Sequence, residues 1–125
     1  MIDHLSLGTN RYAQAVTFYQ QVLAPLGIKL LRDTGKEAAF GTGAQWSFFL
    51  YPIEIGLDVV APGTHVALSI PNRELVKTTH DCALELKAKD IFSPRLRPDI
   101  STTYFGAMFH DLDGHRIELV TNSLV

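Results

Sequence analysis

The sequence has almost no cysteine and no long hydrophobic run. Cys82 is the only cysteine among the 125 residues, so the chain cannot close an internal disulfide, which agrees with the reducing cytoplasm. No apolar stretch approaches the roughly 20 residues that a membrane-spanning helix needs. We therefore expect a cytoplasmic protein without a membrane partner.

An excess of charge of one sign is also missing. The formal net charge is -2, and Lys and Arg form no cluster. Nucleic-acid-binding surfaces carry concentrated positive charge, so no nucleic-acid partner is expected. With 46% apolar and 19% charged residues, the composition is that of an ordinary globular protein, and the length suits one domain.

What the chain does contain is a pattern of one strand, one helix and three strands that occurs twice. In the first copy, alternation predicts strands at 2–7, 28–32, 37–41 and 47–51, and apolar spacings of three and four predict a helix at 11–23. In the second copy, strands are predicted at 64–70, 91–99, 104–110 and 116–120, with a helix at 74–87. Pro94 and Pro98 make the segment 91–99 an edge strand or an irregular one.

This order predicts the fold class α+β. The chain would be a single domain of two βαβββ modules, about residues 1–52 and 64–125, joined by a connector at 53–63. Placed side by side, the modules would form a curved mixed sheet, a cup with the helices outside. The letters repeat weakly as well, since His4-Leu-Ser-Leu and His65-Val-Ala-Leu head the first strands of the two modules.

The hairpin near the C-terminus places a carboxylate inside a strand. Asp113-Gly114 lies between two alternating apolar runs and predicts a tight turn. Glu118 then faces away from its apolar neighbours, and burying its charge is costly unless it is paired or bound to a cation. His4 and His65 occupy other strands, and two imidazoles with one carboxylate form the ligand set of a metal site with open positions. The alternative is a hydrogen-bonded polar cluster without metal.

Three sequence blocks carry a resemblance to a known superfamily. They are His4 with Phe18-Tyr19 and Leu23-Ala-Pro-Leu-Gly27, then Gly63-Thr-His65-Val-Ala, then Asp111-Leu-Asp-Gly-His-Arg-Ile-Glu118-Leu. Through them the chain resembles the vicinal-oxygen-chelate superfamily of glyoxalase I, bleomycin-resistance proteins and extradiol dioxygenases. The resemblance implies paired βαβββ modules, a homodimer and a divalent metal (Fe, Mn, Ni or Zn) held by His4, His65 and Glu118. It also implies a substrate with vicinal oxygens and Glu118 as the catalytic base.

The sequence departs from glyoxalase I in three places. That enzyme has a fourth ligand near the position of Phe48, where this chain has neither a carboxylate nor a histidine. The position of its glutathione-binding arginine is Gly8, and that of its glutathione-binding asparagine is Pro52. We therefore predict that the protein is not a glutathione-dependent glyoxalase I.

A set of two histidines and one glutamate is more similar to the extradiol dioxygenases, whose acid–base histidine and tyrosine would correspond to His110 and Tyr104. The residues predicted to contact substrate are Phe48, Tyr104, His110 and Arg97. Phe48 and Tyr104 also fit ordinary core or sheet aromatics, Arg97 also fits a solvated rim, and His110 also fits a solvated position. His80 and His115 are predicted to be solvated, whereas Asp111 and Asp113 are expected to shape the hairpin turn.

The function predicted from these residues is a metal-dependent small-molecule enzyme with isomerase-like, lyase-like or ring-cleaving oxygenase chemistry. The alternative from another functional class is a metal-free, ligand-sequestering binding protein of the bleomycin-resistance type.

Overall fold

The computed structural model describes all 125 residues. It contains eight strands and two α-helices, with one short 3-10 helix at Ala24–Leu26. In chain order the elements are β1 (Leu5–Thr9), α1 (Tyr12–Leu23), β2 (Lys29–Asp33), β3 (Ala38–Thr42), β4 (Gln45–Pro52), β5 (His65–Ser69), α2 (Arg73–Glu85), β6 (Lys89–Leu96), β7 (Phe105–His110) and β8 (Arg116–Thr121). The predicted α+β class and the two βαβββ modules are confirmed.

The chain divides into two compact units, Met1–Pro62 and Gly63–Val125. Their boundary falls inside the predicted connector. Each unit has its own four-stranded mixed sheet, ordered β1-β4-β3-β2 in the first and β5-β8-β7-β6 in the second. The weak sequence repeat is therefore a repeat of topology, with the first strand of each module parallel to its last.

In the first unit, helix α1 forms because apolar side chains recur at helical spacing and bury one face. Its buried residues are Ala15, Val16, Phe18, Tyr19, Val22 and Leu23. Pro25 lies in the 3-10 turn that follows, and Gly27 ends it in the left-handed conformation (φ 75°), with its N–H donated to the carbonyl of Ala24. The helix thus turns back into β2 within a few residues.

In the second unit, helix α2 begins at an Asn72 cap, whose side-chain oxygen accepts the N–H of Leu75 at 2.9 Å. Its buried residues are Val76, Thr79, His80 and Ala83. On strand β7 the residues Phe105, Ala107 and Phe109 are buried, and this strand contacts α2. Because strand side chains alternate, Gly106, Met108 and His110 lie on the other face of the sheet.

The hairpin between β7 and β8 confirms the predicted turn. Oδ1 of Asp111 accepts the backbone N–H groups of Asp113 (3.0 Å) and His115 (2.9 Å), and Gly114 has φ 95°. Strand β6 is an edge strand with two register irregularities, as Pro94 predicted. Neither helix has the length and apolar character that a membrane span requires.

Candidate functional site

The side chain of Glu118 is the centre of a polar cluster on the face of the second sheet that carries Met108 and His110. It lies in the middle of β8 and is only 6% exposed. Its Oε1 lies 3.3 Å from Nε2 of His65, and its Oε2 accepts a hydrogen bond from the hydroxyl of Tyr104 at 2.5 Å. Both carboxylate oxygens therefore have a partner, which offsets the cost of burying the charge.

The strand register explains why these groups meet. His65 pairs with Arg116 at the start of the parallel β5–β8 ladder, and Ala67 pairs with Glu118. Because β5 is an edge strand of this sheet, the imidazole stays accessible and is 48% exposed.

A glycine on the neighbouring strand permits the close approach of β7 and β8 beside Tyr104 and Glu118. A Cβ at Gly106 would lie 3.6 Å from Cε1 of Tyr104, 3.7 Å from Oε2 of Glu118 and 2.9 Å from the backbone oxygen of Leu119. The last distance is shorter than a side chain tolerates, so any other residue at 106 would push the strands apart beneath the hydrogen bond between Tyr104 and Glu118.

The charge states of the cluster follow from burial and hydrogen bonding. Burial, and then the hydrogen bond to Glu118, raises the pKa of Tyr104 to about 12. The phenol therefore stays protonated near neutral pH and remains a donor. Arg97 donates its backbone N–H to the carbonyl of Tyr104 at 2.8 Å, and its positive charge acts on both Tyr104 and Glu118.

The guanidinium of Arg97 is held in place by two neighbours. It donates Nε–H to Oδ1 of Asp99 at 2.9 Å and Nη2–H to Oδ2 at 2.7 Å, and this pairing raises the pKa of Arg97. It also lies 4.9 Å from the ring centre of Phe92, with Arg95 4.8 Å from the same ring. Arg97 is thus a positioned cation, although Asp99 already neutralises part of its charge.

The pair of His65 and Glu118 fits a divalent metal by donor type and by spacing. Imidazole nitrogen and carboxylate oxygen are common ligands of transition metals. With metal–ligand bonds of about 2.0–2.2 Å at tetrahedral angles, two donor atoms lie about 3.4 Å apart. The observed 3.3 Å between Nε2 and Oε1 agrees with this spacing. The structure contains no group of three or more His, Cys, Asp or Glu side chains that could hold a metal ion.

The third predicted ligand, His4, belongs to the first unit. It precedes β1 rather than lying within it, because pairing with β4 begins at Leu5. Its side chain is 51% exposed, with Nδ1 2.7 Å from Oδ1 of Asp3, and its ring meets the edge of Phe49 at 5.1 Å. Among the predicted ligands, the structure therefore describes His65 and Glu118 as one contact and His4 as a separate, accessible imidazole.

Phe48 does not lie on an open sheet face. Its ring packs edge-on against Tyr19 of α1, with ring centres 4.8 Å apart, and lies beside Phe40 at 5.6 Å. Phe48 is half-buried, and its contact with substrate stays a prediction. Its neighbour Phe49 instead lies in a row with Trp46 and Tyr51. The ring centre of Phe49 is 6.4 Å from that of Trp46 and 6.3 Å from that of Tyr51.

The remaining predicted contact residue, His110, ends β7 and is half-buried. Its Nδ1 donates to the carbonyl of Gly114 at 3.2 Å. His110 pairs with Arg116, the residue that also pairs with His65 on the other side of β8. Both histidines therefore lie in the same cross-strand row of the second sheet.

Two predictions about histidines were wrong. His80 and His115 were expected to be solvated, but both are buried. His80 contacts Oδ1 of Asp90 through Nε2 at 2.8 Å, a partner that no local sequence motif indicates.

The sequence also showed no sign of a pocket of about 490 Å³. It lies along the β5 edge, between residues 67–71, Tyr104 and residues 120–122.

Comparison with known proteins gives a consistent match. The family model described as "Glyoxalase/Bleomycin resistance protein/Dioxygenase superfamily" matches residues 1–119. Metallothiol transferase FosB from Staphylococcus haemolyticus is 27% identical over 130 residues, which cover 98% of this chain and 84% of that protein.

Among solved structures, a glyoxalase/bleomycin resistance protein from Albidiferax ferrireducens T118 superposes with a TM-score of 0.83 at 18% identity, covering 95% of this chain and 97% of the other. The fosfomycin resistance protein FosX from Listeria monocytogenes superposes with a TM-score of 0.73 at 18% identity, covering 99% and 94%. At these identities the superpositions establish a shared fold.

Proposed function

Because the chain belongs to the glyoxalase/bleomycin resistance protein/dioxygenase superfamily, we propose that it is a metal-dependent enzyme acting on a small molecule with vicinal oxygen atoms. His65 and Glu118 would hold the divalent metal, Fe, Mn, Ni or Zn, with His4 as the third ligand. The observation that carries the proposal is the 3.3 Å contact between Nε2 of His65 and Oε1 of the buried Glu118.

When bound, the metal would supply Lewis acidity that polarises a substrate carbonyl or stabilises an oxyanion. Glu118 would receive the substrate proton as the general base, because it is the only carboxylate among the three proposed ligands. Tyr104 donates a hydrogen bond to Oε2 of that carboxylate, the oxygen that is not in contact with His65.

Two cationic or polar groups on the second unit would orient the substrate. The positioned guanidinium of Arg97 lies near Glu118 and suits an oxygen-rich or anionic substrate. His110 shares a cross-strand row with His65, with Nδ1 donated to the carbonyl of Gly114, so Nε2 is the ring nitrogen left for substrate.

The reaction class remains isomerase-like, lyase-like or ring-cleaving oxygenase, and the relative named Metallothiol transferase adds thiol transfer as a further candidate. Glutathione chemistry of the glyoxalase I type is not proposed. A Cβ at Gly8 would lie 2.5 Å from Cγ1 of Ile53, so Ile53 covers the position at which that enzyme carries its arginine.

A second candidate is a ligand-sequestering protein, and one observation favours it. Phe49 and Tyr51 stack nearly parallel, with 17° between their planes, and Trp46 lies beside them with the Arg32 guanidinium 6.0 Å from its ring. Such a row of partly exposed aromatic rings suits a flat apolar ligand without any metal.

Cytoplasmic location and a homodimer also belong to the proposal. The single cysteine agrees with the first, and the family resemblance supports the second. Sedimentation of the purified protein measures the oligomeric state directly.

The deciding experiment is the metal content of protein purified without an affinity tag or chelator. We expect about one transition metal per chain, and its loss in His65→Ala, Glu118→Gln and His4→Ala. Glu54→Gln, which alters an exposed glutamate of the connector, is the matched control and should retain the metal.

Wild-type protein that holds no metal and takes up no added Fe, Mn, Ni, Co or Zn would contradict the enzyme proposal. The sequestering alternative would then be tested through Trp46, the only tryptophan of the chain. Ligand-induced quenching of its fluorescence, lost in Phe49→Ala, would support that alternative.

A further inference from the structure

Tyr104 stands outside the three predicted ligands, yet it makes the shortest contact of the cluster. It precedes β7, and its hydroxyl donates to Oε2 of Glu118 at 2.5 Å. The backbone carbonyl of Tyr104 accepts the N–H of Arg97, and the ring lies beside Gly106. Both the backbone and the side chain of Tyr104 are therefore held by hydrogen bonds.

We infer that Tyr104 is a positioning residue that restricts Glu118 to binding a metal through Oε1 alone. The inference rests on the proposed metal-dependent function and assigns Tyr104 a role other than substrate contact. A carboxylate without this bond could rotate and offer both oxygens, or neither, towards His65. With Oε2 occupied, the single oxygen next to Nε2 of His65 is presented in a fixed orientation.

The physical basis is the general behaviour of groups that hydrogen-bond to a metal ligand on the side away from the metal. Such partners set the orientation of the ligand before the ion arrives, and removing one typically weakens metal binding by about 10–100-fold. A short hydrogen bond from a neutral phenol to a carboxylate is also among the stronger kinds, because the acceptor is charged.

The test is a titration of wild-type and variant protein with Co²⁺ alone, followed by visible absorption, with no substrate present. We expect Tyr104→Phe to bind Co²⁺ about 10–100-fold more weakly and to give an altered spectrum because the coordination of Glu118 changes. Tyr12→Phe is the matched control. It removes a tyrosine hydroxyl that donates to Asp33 at 2.7 Å in the first unit, and it should leave both affinity and spectrum unchanged.

Equal affinity and an identical spectrum in Tyr104→Phe would overturn the inference and leave the proposed function intact. Tighter binding would also overturn it, because Tyr104 would then compete with the metal. Wild-type protein that binds no Co²⁺ would overturn both this inference and the proposed metal-dependent function.

A crystal structure of the Co²⁺-loaded wild type tests the same point without any variant. We expect Glu118 bound through Oε1 with the Tyr104 hydroxyl still on Oε2. A carboxylate bound through both oxygens, with Tyr104 displaced, would contradict the inference even if Tyr104→Phe failed to fold.

Discussion

His80 of helix α2 and Asp90 of strand β6 form a contact of 2.8 Å between Nε2 and Oδ1. The imidazole is almost fully buried, with 2% of the side chain exposed, whereas Asp90 is 40% exposed. Asp90 also accepts the hydroxyl of Ser93 at 3.1 Å. This pair ties the helix to the edge strand that continues towards Arg97.

Replacing His80 with alanine should lower the free energy of unfolding by about 2–4 kcal/mol, because it opens a cavity and leaves Asp90 without its buried partner. Urea denaturation measures the change. Ser93→Ala removes only the second hydrogen bond of Asp90 and should stay within about 0.5–1 kcal/mol of the wild type. Equal losses in the two variants would show that the His80–Asp90 contact is not what holds α2 to β6.

The bond between Tyr12 and Asp33 predicts a pH dependence of stability in the first unit. The Gly35 N–H, and then the Tyr12 hydroxyl, lowers the pKa of Asp33 below its ordinary value of 3.8. As the pH falls below that value, the unfolded chain takes up the proton first, so this stabilising contribution is present above pH 3.8 and is lost as the pH drops through the lower folded-state pKa.

Asp33→Asn should therefore be less stable than the wild type at about pH 7, and the difference should shrink towards about pH 2. Thermal unfolding across this range provides the measurement. Asp58→Asn, an exposed carboxylate of the connector, removes a charge without removing a bond to Tyr12 or Gly35 and serves as the control. If the stability difference between Asp33→Asn and the wild type grew on acidification, the predicted lowering of the Asp33 pKa in the folded protein would be refuted.

Gly41 occupies a β-bulge where strands β3 and β4 approach closely. A Cβ there would lie 1.8 Å from the backbone oxygen of Gln45, whereas a Cβ at Gly8 would meet only the side chain of Ile53. Because a backbone cannot move aside as a side chain can, Gly41→Ala should cost at least about 3 kcal/mol, and Gly8→Ala only about 1 kcal/mol. Similar urea midpoints for the two variants would argue against the close approach at the bulge.

The βαβββ order was predictable because it depends on local periodicity. Alternation in the strands, the spacing of three and four in α1, and the breaks at Pro25 and Gly27 are properties of neighbouring residues. The role of Asp111 in the hairpin turn is equally local, since the carboxylate caps N–H groups two and four residues later.

The contacts of the candidate site were predictable only in part. Alternation along β8 predicted that Glu118 faces away from Ile117 and Leu119. Because burying a carboxylate in the middle of a strand is costly, it also predicted a partner for its charge. The sequence indicated Tyr104 as a candidate substrate contact, but it did not indicate the hydrogen bond that Tyr104, which precedes β7, donates to Glu118.

What the sequence by itself determined is the fold class and the module repeat. Only the tertiary structure decided which face of β4 the helix covers, so Phe48 packs against Tyr19 while Phe49 lies beside Trp46 and Tyr51. It also decided that His80 is buried against Asp90. The physical reason is that a periodic pattern defines two faces of a strand or helix, whereas packing between elements distant in sequence decides what each face meets.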